Sequence, residues 1–152
     1  MKGEIFMDEK KLKVAIYIRV GREEQDENYI LSQKKVLSNY ADKYNTVFKN
    51  YYIDNGYSGR NFNRLGFKKM FNDIVNEKIN AVIVKDLSRF SRDIFGMKKI
   101  YELNKKYNTE FISLDNSINT LKNKDDFIQM QSIQDFIAKL PRRKRKYYGK
   151  KK

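Results

Sequence analysis

The chain has 152 residues, with 33 lysines and arginines against 19 aspartates and glutamates, giving a formal net charge of +14. Apolar residues make up 40% and charged ones 34%, the balance of one compact but unusually polar domain. With no cysteine and no histidine, disulfides, zinc sites of those ligands and histidine-based catalysis are excluded.

The longest apolar run, Val14 to Ile18, is far short of the ~20 residues that cross a bilayer. Met1 to Lys10 is acidic in part and holds no long apolar run, so it does not read as a secretory signal. A cytoplasmic protein is expected. Residues 1–10 form an amino-terminal extension, 11–140 the folded domain and 141–152 a basic tail.

Lys11 to Val20 reads as a buried strand of the parallel-sheet kind. Gly21 ends it, and the acids Glu23, Glu24, Asp26 and Glu27 suit the amino end of the next helix. Tyr29 to Tyr44 repeats Ile30, Gln33, Leu37, Tyr40, Ala41 and Tyr44 at helical spacing, with Gln33 the only polar member of that stripe. Val47 to Ile53 is a second strand, and Asp54 to Asn61 is a loop.

Leu65 to Lys78 is a helix whose apolar side carries Phe67, Met70, Phe71, Ile74 and Val75. Ala81 to Val84 is a third strand, Lys85 to Arg92 a polar connection, and Ile94 to Tyr107 a helix. Glu110 to Leu114 is a fourth strand. Asp125 to Leu140 is a closing helix, with Phe127, Met130, Ile133, Gln134 and Ile137 on its apolar side, and Pro141 stops it.

Strands alternating with helices predict an α/β fold: a mostly parallel sheet of four to five strands, helices on both faces and right-handed crossovers. Function in such folds gathers beyond the carboxyl ends of the strands. Two constellations lie there. Asp54, Asp86 and Asp115 each follow a strand and could converge on a divalent metal for phosphodiester hydrolysis. Aspartate also caps turns and helices, which is the plainer account of all three.

Arg19, Arg64, Arg89 and Arg92 form the second set. Arg89 and Arg92 are three residues apart and share one helical side. Arginines gathered at a strand edge call for an anion, and phosphate suits their planar, permanently charged donors. The tail adds Arg142, Arg143, Lys144, Arg145 and Lys146, then Lys150 to Lys152. Without it the body has 25 basic and 19 acidic groups, a surplus of only +6. Such a block is expected to find a polyanion. No glycine fingerprint for a nucleotide cofactor occurs, and nothing points to a membrane.

Four stretches in register then carry a family resemblance. They are Val14-Ala15-Ile16-Tyr17-Ile18-Arg19-Val20, Glu23-Glu24-Gln25, Asp54-Asn55-Gly56-Tyr57-Ser58-Gly59, and Val82 to Arg92. They resemble the catalytic domain of the serine site-specific recombinases (the resolvase and invertase family), closest in style to the large serine recombinases of bacterial mobile elements. The resemblance runs from about Lys11 to about Lys139.

It implies DNA strand exchange through a phosphoserine bond, with neither metal nor ATP, by subunits of a synaptic tetramer. By motif position, Arg19, Arg64, Arg89 and Arg92 match phosphate-binding arginines, and Tyr17, Gln25, Asp54 and Ser58 match residues that orient the site. No cofactor is implied.

Two departures qualify it. The family reads Tyr-x-Arg-Val-Ser, whereas this chain reads Tyr17-Ile18-Arg19-Val20-Gly21. Gly21 stands where the nucleophile belongs, and glycine has nothing to attack with. Ser32, Ser58, Ser88 and Ser91 are not evident substitutes. The chain also reaches Pro141 and the basic tail where family members continue into a DNA-binding region.

The resulting expectation is a recombinase catalytic domain that is inactive as written, acting as a homo-oligomer or paired with an intact recombinase. The alternatives are a basic accessory protein that binds DNA or RNA through its tail, and a metal-dependent nuclease using Asp54, Asp86 and Asp115.

Overall fold

The computed structural model describes residues 10–21, 26–56, 64–90 and 94–123. The elements are β1 (Leu12–Val20), α1 (Glu27–Ala41), β2 (Thr46–Asn55), α2 (Leu65–Val75), β3 (Ala81–Val84), the single turn α3 (Leu87–Phe90), α4 (Ile94–Tyr107) and β4 (Glu110–Ser113). The strands form one sheet in the order β2-β1-β3-β4, every neighbouring pair parallel. Residues 118–120 return antiparallel to β4: Asn119 bridges Ile112, and the Ser113 N–H donates to the Ile118 carbonyl at 2.9 Å. The α/β fold predicted from alternating elements is the one observed. The predicted helix over 125–140 lies outside the described residues.

β1 is central and almost wholly buried, as its continuous apolar run requires. Its alternate residues feed two cores. Val14, Ile16, Ile18 and Val20 join Leu37 and Ala41 of α1 on one face. Ala15 and Tyr17 join Phe67, Met70 and Ile74 of α2 and Leu103 of α4 on the other. Helices therefore cover both faces.

Capping decides where the helices start and stop. Asp26 is the N-cap of α1, accepting from the Asn28 N–H at 3.0 Å, with Glu27 in the first turn. These two acids stand at the helix amino end as predicted; Glu23 and Glu24 lie outside the described residues. α2 closes in a Schellman arrangement: the Lys78 N–H donates to the Asp73 carbonyl at 2.8 Å and the Glu77 N–H to the Ile74 carbonyl at 3.0 Å. Glu77 takes φ 62° to do so, and Asn108 after α4 takes φ 55°.

Lysines from the start of β1 hold both of these ends. Lys13 Nζ donates to the Glu77 carbonyl at 2.6 Å and Lys10 Nζ to the Asn108 carbonyl at 2.8 Å, where helix dipoles favour cations. These lysines compensate carbonyls at the amino edge of the sheet. The arginines stand at the opposite, carboxyl edge.

Candidate phosphate site at the carboxyl edge

Tyr17 and Arg19 leave β1 on the same face, two residues apart. The register sets Arg19 beside Asp54 of β2, and the Gly56 N–H donates to the Val20 carbonyl at 2.6 Å, tying the two strand ends together. Gly56 has φ 90°, a conformation glycine adopts without penalty.

Asp54 is 1% exposed, and its oxygens meet three donors. Tyr17 Oη donates at 2.6 Å, the Gly66 N–H at 2.6 Å and the Phe67 N–H at 2.9 Å. Arg64, at the N-cap position of α2, makes no side-chain cap, because guanidinium has no acceptor. Asp54 supplies that cap from the neighbouring strand. Gly66 permits the approach: a Cβ there would lie 2.8 Å from Asp54 Oδ1 and 2.9 Å from the Ile53 carbonyl.

Arg64 is buried between two rings, 5.7 Å from the Tyr17 centroid and 5.3 Å from that of Phe67. Its Nη1 donates to Tyr17 Oη at 2.9 Å. Burial lowers the basicity of the guanidinium, with Tyr17 and Asp54 opposing. Burial likewise pushes the Tyr17 phenol far above its ordinary range; Arg64 opposes, and the hydrogen bond to Asp54 adds to the rise. Tyr17 is thus a neutral donor linking an acid to an arginine.

Arg19, 2% exposed, reaches α3. Its Nε donates to the Arg89 carbonyl at 3.2 Å and its Nη2 to the Ser88 carbonyl at 2.8 Å. Arg89 Nη1 donates to the Arg19 carbonyl at 3.2 Å, and Arg64 Nη1 approaches the Arg89 carbonyl at 3.5 Å. Arg19, Arg64 and Arg89 are therefore one cluster, with Tyr17 and Asp54 behind them. Gly21 lies immediately beyond, two residues after Arg19. Gln25, Ser58, Arg92 and the tail residues Arg142, Arg143, Lys144, Arg145 and Lys146 lie outside the described residues.

The three aspartates do not form a metal site, which corrects that alternative. Each is engaged separately: Asp54 as above, Asp86 by the Ser88 N–H and hydroxyl, Asp115 by the hydroxyls of Ser113 and Ser117. Burial acts to raise the Asp115 carboxyl, but its hydrogen bonds from Ser117 and Ser113 outweigh this and lower it. Among the described residues no group of three potential ligands gathers.

The sequence reading missed two residues at this edge. Gly66 carried the faint signal of a glycine inside the first turn of a helix. Lys85 stands in the sequence as the first residue of a polar connection, with no local signal of its own. Gln33, noted only as the odd polar member of its stripe, lines a small cavity with Tyr17, Arg19, Lys85 and Arg89. No helix among the described residues is long and apolar enough to cross a membrane.

Comparison with known proteins identifies the fold and the family. No curated protein matches the chain. Among solved structures it is similar to the N-terminal catalytic domain of TP901-1 integrase, at 28% identity and a TM-score of 0.65, over 84% of this chain and 95% of that one. A resolvase family site-specific recombinase from Streptococcus pneumoniae is 27% identical with a TM-score of 0.62, over 82% and 87% of the two chains. A serine recombinase from Sulfolobus solfataricus is 26% identical with a TM-score of 0.54, over 84% and 85%. The family model for the resolvase N-terminal domain matches residues 14–151. With its buried arginines at the carboxyl edge of a parallel sheet, the chain belongs to the resolvase family and is a serine-recombinase catalytic domain of DNA recombination.

Proposed function

We propose that this domain grips a DNA phosphate through its arginine cluster without attacking it. The observation that supports the reading is the sequence Arg19-Val20-Gly21 at the end of β1: Arg19 and Arg89 are gathered there in a form suited to a phosphate, and the position that the family resemblance gives to the nucleophile is a glycine. Fixed cations in a water-poor site stabilise charge developing on phosphorus, but covalent transfer needs an oxygen at bonding distance.

In this reading Arg19 and Arg89, with Arg92, hold the phosphate. Arg64 acts from behind, through Tyr17 and the Arg89 main chain. Tyr17, Gln25, Asp54 and Ser58 orient the set. The tail residues Arg142 to Lys146 add backbone contacts without sequence preference, in a cytoplasmic protein that pairs with a second copy or with an intact recombinase.

The test is the salt dependence of binding to duplex DNA. Each phosphate contact contributes about 0.9 to the slope of log K against log salt. Arg89→Ala is expected to reduce that slope by about one contact. An unchanged slope would count against the cluster as a DNA contact.

A further inference from the structure

The arginines are not the whole positive charge at this edge. Lys85 directly follows β3 and shares the parity of Ile83, so it leaves the sheet on the α1 face. Its Nζ lies 3.1 Å from Tyr29 Oη and 5.5 Å from the centre of that ring. Tyr29 belongs to the first turn of α1. With Gln33, these two residues meet Arg19, Arg89 and Tyr17 around a cavity of about 10 Å³, room for about one water molecule.

Other lysines near the sheet have strong acceptors of their own. Lys10 meets Glu110 at 3.1 Å, Lys49 meets Asp42 at 2.8 Å, and Lys13 donates to a helix-end carbonyl. Lys85 instead donates to the Tyr29 hydroxyl. The hydroxyl and ring face hold the ammonium in place, and among the described residues no carboxylate pairs with it. Lys85, Arg19 and Arg89 all line this space, with Asp86 3.9 Å from Arg89, and an anion at its mouth would draw on all three cationic residues.

We propose that Lys85 is a further DNA-phosphate contact of this site, presented beside Arg19 and Arg89 by Tyr29. The proposal rests on the reading of the arginine cluster as a DNA contact. A compact ammonium with three rotatable donors complements the planar guanidinium forks, because it can reach an oxygen that their geometry leaves unmet.

The test uses the full chain and a short fluorescein-labelled duplex, with binding measured by anisotropy over a range of salt. Lys85→Ala is expected to lower the slope by about 0.9 and to weaken binding several-fold at low salt, while Lys85→Arg retains the slope. Lys85→Gln, closer in shape, is expected to lose the same slope while unfolding at the parent's urea midpoint. Lys43→Ala, whose ammonium lies over Tyr40 toward the far end of α1, is expected to keep it.

A Lys85→Ala slope equal to that of the parent overturns the proposal, and so does an equal fall in Lys43→Ala. Arg89→Ala separates the two levels. If it lowers the slope while Lys85→Ala does not, Lys85 alone is wrong; if neither lowers it, the cluster as a DNA contact is wrong too.

Discussion

Arg19 and Arg89 hold each other by their main chains: each guanidinium donates to the other's carbonyl oxygen at 3.2 Å. This exchange, with Asp86 3.9 Å from Arg89 Nε, offsets the repulsion between two like charges and keeps them adjacent. The carbonyls come from the end of a central strand and from a single helical turn, so β1 and α3 set the spacing of the cations. Preorganised charge of this kind needs little rearrangement when phosphate binds.

Gly66 is essential to that frame because Asp54 caps α2 from β2. Gly66→Ala would drive a Cβ against Asp54 Oδ1 and the Ile53 carbonyl, at 2.8 and 2.9 Å. Overpacking of this kind costs about 1–3 kcal/mol. Urea unfolding is expected to show a lower midpoint by that measure, and the same variant is expected to bind DNA less tightly as Asp54, Tyr17 and Arg64 shift.

At the opposite edge the chain carries a removable strain. Glu77 sits at φ 62°, a region that disfavours side chains by about 1–2 kcal/mol, while glycine loses more freedom on folding. Glu77→Gly keeps the carbonyl that Lys13 caps. It is expected to raise the thermal midpoint slightly, by a net gain of up to about 1 kcal/mol, with DNA binding unaffected.

Alkaline stability carries the signature of a buried phenol. Tyr52 is pushed up to about 12, first by burial and then by its hydrogen bond to Asp73. The neutral phenol is the form the fold favours. Its contribution is complete below pH 10.0, the unfolded value, and is lost as pH rises through about 12. Tyr52→Phe is expected to be less stable than the parent at neutral pH, and the gap between them is expected to narrow above pH 10 in urea titrations. A gap independent of pH would contradict this.

Much of the fold was legible because β1 and β3 are unbroken apolar runs and α2 repeats its apolar residues at helical spacing. The single turn α3 was not, since four residues among polar neighbours carry no period. The arginines were recognisable as a set, but Arg64 reads locally as a solvated residue before a helix. Its burial depends on the rings of Tyr17 and Phe67 and on Asp54, which tertiary packing brings together. The aspartates read more plainly as caps of turns and helices than as metal ligands, and each is engaged separately in that way. Which helix Asp54 caps is not legible in the sequence, because its amide partners are 12 and 13 residues away.

The most direct test of the central claim is to quench a complex of the unaltered chain and duplex DNA with detergent and look for a covalent protein–DNA adduct by gel and mass spectrometry. The account predicts DNA bound before the quench and wholly released after it, because Gly21 offers no hydroxyl to phosphorus. An adduct recovered from the unaltered chain, at any serine, would contradict it.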